Sequence, residues 1–272
     1  MRFSPPLVRR FSNNGFSAAP LHRWYLLDSS SHVNAGTATS GLTISNSGSA
    51  GGGSVTRQIR GPIERAIKFY QSASTDRAVI YTANPASGDI VTGTALSFMA
   101  WVQYLKTNGT GSCIAFTKVY NSDLTAFANP GFQTWGLGIN STNGLQVAVT
   151  CGTNGSGTRV SANSNQTMTL GVWYHVAGTY DGSNVRIYIN GAECGKAAQT
   201  GNIDNNTAVH SNSGGPYAFG GHPSTASGGN SFQDSVHLAD PMIFAATLTQ
   251  DDLSNYYHSV LGLSRQSARG QY

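Results

Sequence analysis

The sequence predicts an all-β fold, an antiparallel β-sandwich with one short C-terminal helix and an extended N-terminal arm. Three observations support this prediction. Short β-rich runs recur along the chain, turn-forming dipeptides separate them, and no helical periodicity lies between consecutive runs. Strands connected in this way pair as antiparallel neighbours, because parallel strands would need helical crossovers between them.

The predicted strands are short and have turn signals between them. Eleven runs cover residues 24–27, 66–70, 78–81, 96–104, 112–118, 135–140, 145–150, 173–180, 185–189, 217–220 and 236–244. Asn-Gly at 143–144 and 190–191 and Asp-Gly at 181–182 favour positive φ angles, so each predicts a tight hairpin. Residues 29–56 are rich in Ser, Gly, Thr and Asn, and we predict a long loop there.

The segment from Trp135 to Ile139 indicates which side of a predicted strand faces the core. Trp135, Leu137 and Ile139 alternate with glycines. Side chains two residues apart share one face of a strand. The alternation therefore predicts that one face is packed and that Trp135 belongs to the core.

One helix is predicted near the C-terminal end of the sequence. Thr249 and Asp252 have the spacing of a capping box, with Asp in the place of the usual Glu or Gln, and apolar residues follow at helical spacing to residue 261. We expect this helix to close the sandwich. Residues 263–272 contain Arg265 and Arg269 and no acid, which predicts a basic C-terminal tail.

Positive charge is concentrated at the N-terminal end. The 272-residue chain has a net charge of +4; residues 1–70 hold eight Lys or Arg and two acids, whereas residues 71–272 hold eight and ten. Residues 1–21 form a predicted basic arm, which includes Arg2, Arg9 and Arg10. Such an arm suits nucleic acid, anionic lipid or the acidic face of a protein, and a solvated tail is the alternative.

Several targeting and membrane signals are missing from the sequence. No apolar run approaches the ~20 residues that span a bilayer, and the first residues lack the apolar core of a secretory signal, so we expect neither a membrane span nor export by that route. The Arg- and Ser-rich start resembles an organellar transit peptide, but Pro5 and Pro6 disfavour the helix that such a peptide forms. Cys113, Cys151 and Cys194 form no paired motif and are predicted to be buried thiols.

Residues 173–191 carry a family resemblance. They read Trp-Tyr-His-Val-Ala-Gly-Thr-Tyr-Asp-Gly over 173–182 and Tyr-Ile-Asn-Gly over 188–191. This segment resembles the laminin G-like (LamG-like) group of the concanavalin A-like lectin/glucanase superfamily. Further runs that are similar to this group lie at 22–28, 61–70, 96–102, 236–244 and 249–261.

The resemblance covers residues 22–262, which we predict to form one LamG-like domain. It implies a jelly roll of two curved antiparallel sheets. It implies no single activity, because lectins, adhesion modules, glycosidases and structural domains share this fold. The signature itself has a structural reading, since a tight hairpin between two core strands needs these residue types, and His175 is predicted to be a hydrogen-bonded sheet residue rather than a ligand or base.

The sequence lacks the carboxylates that a glycosidase of this superfamily needs. Such an enzyme places acid and nucleophile about 5 to 5.5 Å apart. The two glutamates, Glu64 and Glu193, lie far apart in sequence, and the adjacent pair Asp251-Asp252 falls at the predicted helix start. No nucleophile elbow, phosphate-binding loop or metal-spaced histidine pair is present, so we predict that the protein is not an enzyme.

The resemblance also points to two kinds of ligand. Related domains hold calcium between rim loops, and Asp28 and Asp240 are the candidates for this role; because both match the family positions only loosely, a structural role is favoured for them and no cofactor is expected. Glycan binding needs exposed aromatic rings with polar neighbours. Gly-rich loops supply four candidates, namely Phe127, Phe132, Tyr217 and His222. Aromatics in such loops equally often anchor the loop to the core.

Taken together, these observations predict a non-catalytic structural or binding protein of a large assembly. The low charge, the basic arm and the Ser-, Gly-, Thr- and Asn-rich composition favour a multi-copy or homo-oligomeric subunit of a bacteriophage virion. As a capsid decoration or tail-associated protein it would dock on capsid or tail proteins and contact host glycans, without direct contact with nucleic acid. A carbohydrate-binding or adhesion module and an accessory subunit of an organellar complex are the alternatives. The virion is the expected location, and the cytoplasm or an organelle is the alternative.

Overall fold

The computed structural model of the protein describes residues 16–25, 33–34, 36, 44–50, 54–59, 61–62, 66–70, 77–82, 85, 87–105, 113–119, 133–139, 142, 144–152, 157–205, 215, 217–220 and 236–269. In chain order its strands are β1 (His22–Tyr25), β2 (Val33–Asn34), β3 (Ile44–Ala50), β4 (Ser54–Ile59), β5 (Ala66–Tyr70), β6 (Arg77–Thr82), β7 (Leu96–Tyr104), β8 (Cys113–Val119), β9 (Gln133–Ile139), β10 (Gly144–Cys151), β11 (Thr158–Thr167), β12 (Tyr174–Tyr180), β13 (Asn184–Ile189), β14 (Ala192–Ala198), β15 (Tyr217–Phe219) and β16 (Val236–Phe244). Helix α1 (Gln250–Arg269) follows the last strand, and a short 3₁₀ turn spans Ser87–Asp89.

The strands form two antiparallel sheets, which confirms the predicted sandwich. One sheet has nine strands: β14, β13, β12, β7, β16, β1 and β2 follow one another, while β4 pairs with β5 and β5 pairs with β16. Strand β16 therefore has β7 along one edge and both β5 and β1 along the other. The second sheet has seven strands in the order β11, β10, β9, β8, β15, β6, β3.

Five strands lie where the sequence predicts none, namely β2, β3, β4, β11 and β14. The first three fall in or beside the segment 29–56, so the prediction of a continuous loop there is wrong. Each of the five lies at a sheet edge and pairs with one described neighbour along its length. An edge strand needs hydrogen-bonding partners on one side only and tolerates polar side chains, so its residues lack the apolar pattern of a central strand.

Helix α1 begins as predicted and ends later. The Asp252 N–H donates to Thr249 Oγ1 (3.2 Å), and the Thr249 N–H donates to Asp252 Oδ2 (2.9 Å), which confirms the capping box. The helix continues to Arg269, so the predicted basic tail is helical over residues 263–269; that segment contains no Pro or Gly to end the helix before Gly270. Among the residues that the structure describes, no helix combines the length and the apolar character needed to cross a lipid bilayer.

Large aromatic side chains fill the space between the two sheets. The ring of Trp135 stacks on that of Phe98 from the opposite sheet, with 4.4 Å between centroids. Trp135, Leu137 and Ile139 are buried, which confirms the core position of Trp135. Trp24 of β1 packs on Phe219 of β15 in the same layer. These contacts between rings of opposite sheets therefore hold the two sheets together.

A second apolar layer, the outer-face cluster, covers the side of the nine-stranded sheet that faces away from the sandwich core. Its buried members are Ala66, Met99, Trp101, Ala177, Tyr188, Ala239, Met242, Phe244, Leu248, Leu253, Tyr256 and Val260. Helix α1 thus packs on the outside of this sheet rather than between the sheets. The helix covers the outward-facing side chains of these strands, while the side chains at the alternate positions face the core between the sheets.

The described end of the predicted N-terminal arm is part of this layer. The ring of Phe16 lies 5.0 Å from that of Phe244 and 5.2 Å from that of Tyr256. Ser17 donates its N–H and its hydroxyl to the two carboxylate oxygens of Asp252, at 2.8 and 2.7 Å. Residues 16–18 therefore fasten the chain across the start of α1. Arg2, Arg9 and Arg10 lie outside the described residues.

Gly220 is expected to tolerate substitution poorly. Its φ is +77°, and a Cβ at this position would lie 2.1 Å from Cγ of the buried Phe69 ring. Gly220→Ala combines left-handed strain with overpacking, so we expect it to lower the free energy of unfolding by about 2 to 3 kcal/mol in urea denaturation. Gly93→Ala is the matched control, because Gly93 has φ +84° and open space around its Cβ position. Equal losses in the two variants would contradict the packing argument.

Candidate ligand-binding surface

Tyr217 is a core residue, which agrees with the alternative of an anchor to the core and not with the predicted glycan contact. It starts β15 and is 1% exposed. Its hydroxyl donates to the carbonyl oxygen of Asp89 (2.8 Å), and its N–H donates to Thr82 Oγ1 (3.1 Å). Its ring packs on Trp24 and Trp135. Because both its ring and its hydroxyl are engaged inside the sandwich, Tyr217 cannot stack on a sugar in this structure.

Buried polar groups surround Tyr217. His22 Nε2 also contacts the carbonyl oxygen of Asp89 (2.7 Å), and the ring of His22 stacks on Trp24. Lys118 Nζ lies 5.4 Å from the centre of the Tyr217 ring and donates to the carbonyl oxygen of Gly215. Burial lowers the pKa of Lys118 to about 7 and lowers that of His22, while it raises the pKa of Tyr217. These groups form a closed polar centre in the core and not a surface for a large ligand.

The remaining predicted site residues are placed as follows. Phe127, Phe132, His222 and Asp28 lie outside the described residues. Cys151 and Cys194 are buried free thiols, as predicted, and burial raises the pKa of both, that of Cys194 to about 11. The side chain of Cys113 lies outside the described part of the structure.

Asp240 forms a buried clamp with two residues of other elements. Arg23 donates Nε–H to Asp240 Oδ1 (2.8 Å) and Nη2–H to Oδ2 (2.7 Å), and the Tyr256 hydroxyl donates to Oδ2 (2.6 Å). Asp240 adopts φ +47° at a register shift of β16. A carboxylate that already faces a guanidinium on both oxygens is poorly suited to calcium, so this geometry favours the structural role of Asp240 over the alternative of a calcium ligand.

Asp181 and Glu193 are the described carboxylates that share one partner. Arg186 Nη2 lies 3.3 Å from Asp181 Oδ2, and Arg186 Nη1 lies 3.3 Å from Glu193 Oε2. Burial opposes the shift, but the N–H groups of Ser183 and Asn184 together with Arg186 lower the pKa of Asp181. A general acid for glycoside cleavage needs a raised pKa. Asp181 is therefore suited to holding the β12–β13 hairpin through Arg186, and Glu193 joins the same arginine from β14.

His175 is a buried sheet residue, as predicted, although its ring is less well bonded than expected. Its N–H donates to Asn190 Oδ1 (3.0 Å). Its Nε2 lies 3.4 Å from Met99 Sδ, while Nδ1 has no hydrogen-bond partner. Burial lowers the pKa of His175 to about 3. The neutral ring fills space between Trp101 and Tyr256.

One surface of the described structure combines exposed apolar side chains with polar ones. It lies on the outer face of the nine-stranded sheet, beyond the part that α1 covers. In the sheet register His237 pairs with Lys68 on one side and with Gln103 on the other. Alternation places these three side chains on the same face as Ala66, Trp101 and Ala239 of the outer-face cluster.

The segment before β12 continues this surface. The ring of Trp173 lies 6.0 Å from that of His237, and the Gly171 N–H donates to the carbonyl oxygen of Tyr104 (2.8 Å). Among the described residues, the large apolar side chains that are exposed are Tyr70, Leu170 and Val172. All three lie at this end of the sheet. We call this surface the outer-face patch, and it consists of Lys68, Tyr70, Gln103, Leu170, Val172, Trp173 and His237.

The charges of the outer-face patch are simple. Lys68 Nζ lies 5.3 Å from the centre of the Tyr70 ring, within cation–π range. Burial, and then the charge of Lys68, lower the pKa of His237 to about 4. At neutral pH the described patch therefore presents one cation, a neutral imidazole, an amide and two aromatic rings. This arrangement can stack on a ring and offer hydrogen bonds beside it.

Sequence reasoning missed the outer-face patch. Its members come from β5, β7, β16 and the turn before β12, which the sheet register brings together from distant parts of the chain. A local signal did exist, since Lys68, Tyr70 and Gln103 stand at alternate positions of predicted strands, where an outward face is expected. Leu170 and Val172 flank a glycine in a segment assigned to no strand, which is a further sign of surface exposure.

The chain belongs to the concanavalin A-like lectin/glucanases superfamily. A laminin G family model with that description matches residues 74–254, which confirms the resemblance found in the sequence. No curated protein is significantly similar to this chain in sequence.

Solved structures share the fold at low sequence identity. The binding domain of Paraclostridial Mosquitocidal Protein 1 is 14% identical, with a TM-score of 0.58 over 89% of this chain and 52% of that chain. The botulinum neurotoxin serotype G binding domain is 15% identical, with a TM-score of 0.57 over 88% and 51%. This chain thus spans about half the length of these toxin domains. Domain 4 of AbnA, an extracellular arabinanase from Geobacillus stearothermophilus whose structure contains arabinotriose, is 14% identical, with a TM-score of 0.54 over 88% and 98%.

Proposed function

We propose that this chain is a non-catalytic, lectin-like domain that binds carbohydrate through the outer-face patch. The observation that carries the proposal is the clustering of the exposed Tyr70 with Lys68 and Trp173 on the outer face of the nine-stranded sheet. Aromatic rings stack on the apolar faces of sugars, and an ammonium group donates to their hydroxyls. The shared fold with an arabinotriose-bound domain supports this ligand class.

Tyr70→Ala and Trp173→Ala are each expected to weaken glycan binding by at least about tenfold, because each removes a stacking surface. A glycan array identifies the ligand, with arabinotriose included as a probe, and calorimetric titration then measures affinity. Tyr70 is 39% exposed, so its replacement tests binding with little effect on folding. Asn165→Ala, on the exposed edge strand β11, is the control. Absence of binding to every glycan by the folded protein would overturn the proposal.

We also propose that the domain serves in a large assembly, as a capsid decoration or tail-associated subunit of a bacteriophage virion. The support lies in the composition and in the basic stretch that contains Arg2, Arg9 and Arg10. That stretch precedes Phe16, which is fixed beside α1, so the basic residues would leave the domain from one defined place. A cluster of charges of one sign suits docking on an acidic neighbouring subunit.

A truncation that starts at Phe16 tests this role. It keeps the contacts of Phe16 and Ser17 and removes the basic stretch, so we expect a folded domain that no longer enters particles assembled in its presence. Replacement of Arg2, Arg9 and Arg10 by Gln is the finer variant. Normal incorporation of both variants into purified particles would contradict the docking role.

A further inference from the structure

Gln103 connects two parts of the outer-face patch. Its Nε2 donates to the carbonyl oxygen of Gly171 (2.5 Å), and its Oε1 lies 2.5 Å from His237 Nδ1. A carbonyl oxygen accepts only, so the amide nitrogen faces Gly171 and the amide oxygen faces the imidazole. His237 therefore carries its proton on Nδ1. The side chain of Gln103 is held at both ends.

The segment that Gln103 reaches carries the apolar side of the patch. Gly171 adopts φ +75° between the exposed Leu170 and Val172. Its N–H is bonded to the Tyr104 carbonyl, and the Thr169 N–H is bonded to the Tyr174 hydroxyl (3.1 Å). Gly171 is thus fixed to the sheet by two hydrogen bonds, one from its N–H to the Tyr104 carbonyl and one to its own carbonyl from the Gln103 amide.

We propose that the His237–Gln103–Gly171 chain of hydrogen bonds is a latch, in which Gln103 positions residues 169–173 for binding and protonation of His237 releases them. This inference rests on the proposed function for its effect on ligand binding. The latch itself is independent of what the ligand is. Gln103 acts as a positioning residue, since its amide is already engaged within the protein.

The surroundings of His237 explain why acid would open the latch. Its Nε2 is buried and has no hydrogen-bond partner, so a proton added there meets no acceptor. The described groups that face the ring are Lys68 from β5, Gln103 from β7 and Trp173 from the turn before β12, and the charged one is a cation. An imidazolium in this position is both desolvated and repelled. The ring must then move toward water, and the Gln103 amide loses its partner.

Hydrogen exchange of the Gly171 amide, followed by NMR on the full chain, tests the latch without any ligand. In Gln103→Leu we expect the protection factor to fall about tenfold at pH 7, the effect of losing one anchoring hydrogen bond. In the parent protein we expect the protection factor of the Gly171 amide to fall by a similar amount on acidification toward pH 4. In His237→Leu we expect this protection factor to be independent of pH. Gln166→Leu, on β11, is the matched control.

Glycan affinity is then measured on the same variants across the same pH range. If Gln103→Leu binds the glycan more weakly than the parent, and the parent loses glycan affinity in acid, the latch is coupled to glycan binding. If the exchange results hold and no glycan binds, the proposed function fails and the latch stands. Unchanged protection of Gly171 in Gln103→Leu, or an identical pH dependence in His237→Leu and the parent, would overturn the latch.

Discussion

Asp240→Asn is expected to lower the free energy of unfolding by about 3 to 5 kcal/mol, which is the typical effect of leaving one charge of a buried ion pair without its partner. The side chains of Arg23 and Asp240 are 6% and 3% exposed. Asn keeps the shape and tolerates the positive φ of this position. Its amide oxygen can accept from Tyr256 and Arg23 Nη2 in the place of Oδ2, whereas its NH2 group replaces the acceptor of the Arg23 Nε–H, so the variant removes the charge and one acceptor. Urea denaturation monitored by circular dichroism measures the loss.

Glu193→Gln is the control for Asp240→Asn, because it neutralises an ion pair that is exposed. The carboxylate of Glu193 is 33% exposed and lies 3.3 Å from Arg186. Exposed pairs contribute at most about 1 kcal/mol. If the two variants lose similar amounts of the free energy of unfolding, burial makes the Arg23–Asp240 pair no more stabilising than the exposed Arg186–Glu193 pair, which would contradict the prediction.

Acidification is expected to destabilise the fold progressively below pH 6.5, with His175 as a large contributor. Unfolded chains protonate this imidazole below its ordinary pKa of 6.5, whereas burial lowers the pKa in the folded protein to about 3. Between these values the unfolded state binds the extra proton, so stability rises with pH and is lost as pH falls. The slope reaches about 1.4 kcal/mol for each pH unit and is smaller near each of the two pKa values, so His175 alone accounts for about 4 kcal/mol between pH 6.5 and pH 3.

His175→Leu isolates this contribution. Leu suits the apolar surroundings of Met99, Trp101 and Tyr256, so we expect little change at pH 7 and a clearly smaller slope of stability against pH. Part of the slope remains, since burial also lowers the pKa values of His22 and His237. His258→Leu, which replaces an exposed imidazole on α1, is the control. An unchanged slope in His175→Leu, from urea titrations at several pH values, would show that His175 is not the group responsible.

The central strands were predictable because their sequence carries the signal of burial. Trp135, Leu137 and Ile139 alternate with glycines, and their side chains lie in the core. The Asn190-Gly191 turn has φ values of 53° and 83°, as its sequence requires. Edge strands such as β3 and β11 gave no such signal, because their polar residues form strands through backbone bonds to a neighbour that already exists.

The site was less predictable than the fold. Tyr217 begins a predicted strand and follows glycines and a proline, so its sequence is compatible both with an exposed position and with a buried one, and the pairing of β15 with β6 and β8 is what encloses it. The Arg23–Asp240 contact joins residues that are 217 positions apart in the chain, and local patterns carry no information about such a pair. The outer-face patch depends on the register of β5, β16 and β7, which becomes known only when the sheet is assembled.

The position of β1 beside β16 has a mechanical consequence. His22 pairs with Ile243, and Leu21 donates its N–H to the carbonyl of the same residue, so the chain enters β1 at the end of the sheet where it leaves β16. Tension applied between residue 16 and helix α1 would therefore peel the contacts of Phe16, Ser17 and β1 apart one after another, as in unzipping, instead of shearing them together. When force is applied at residue 16 and at helix α1, β1 would therefore detach at low force while the aromatic core between the sheets remained intact.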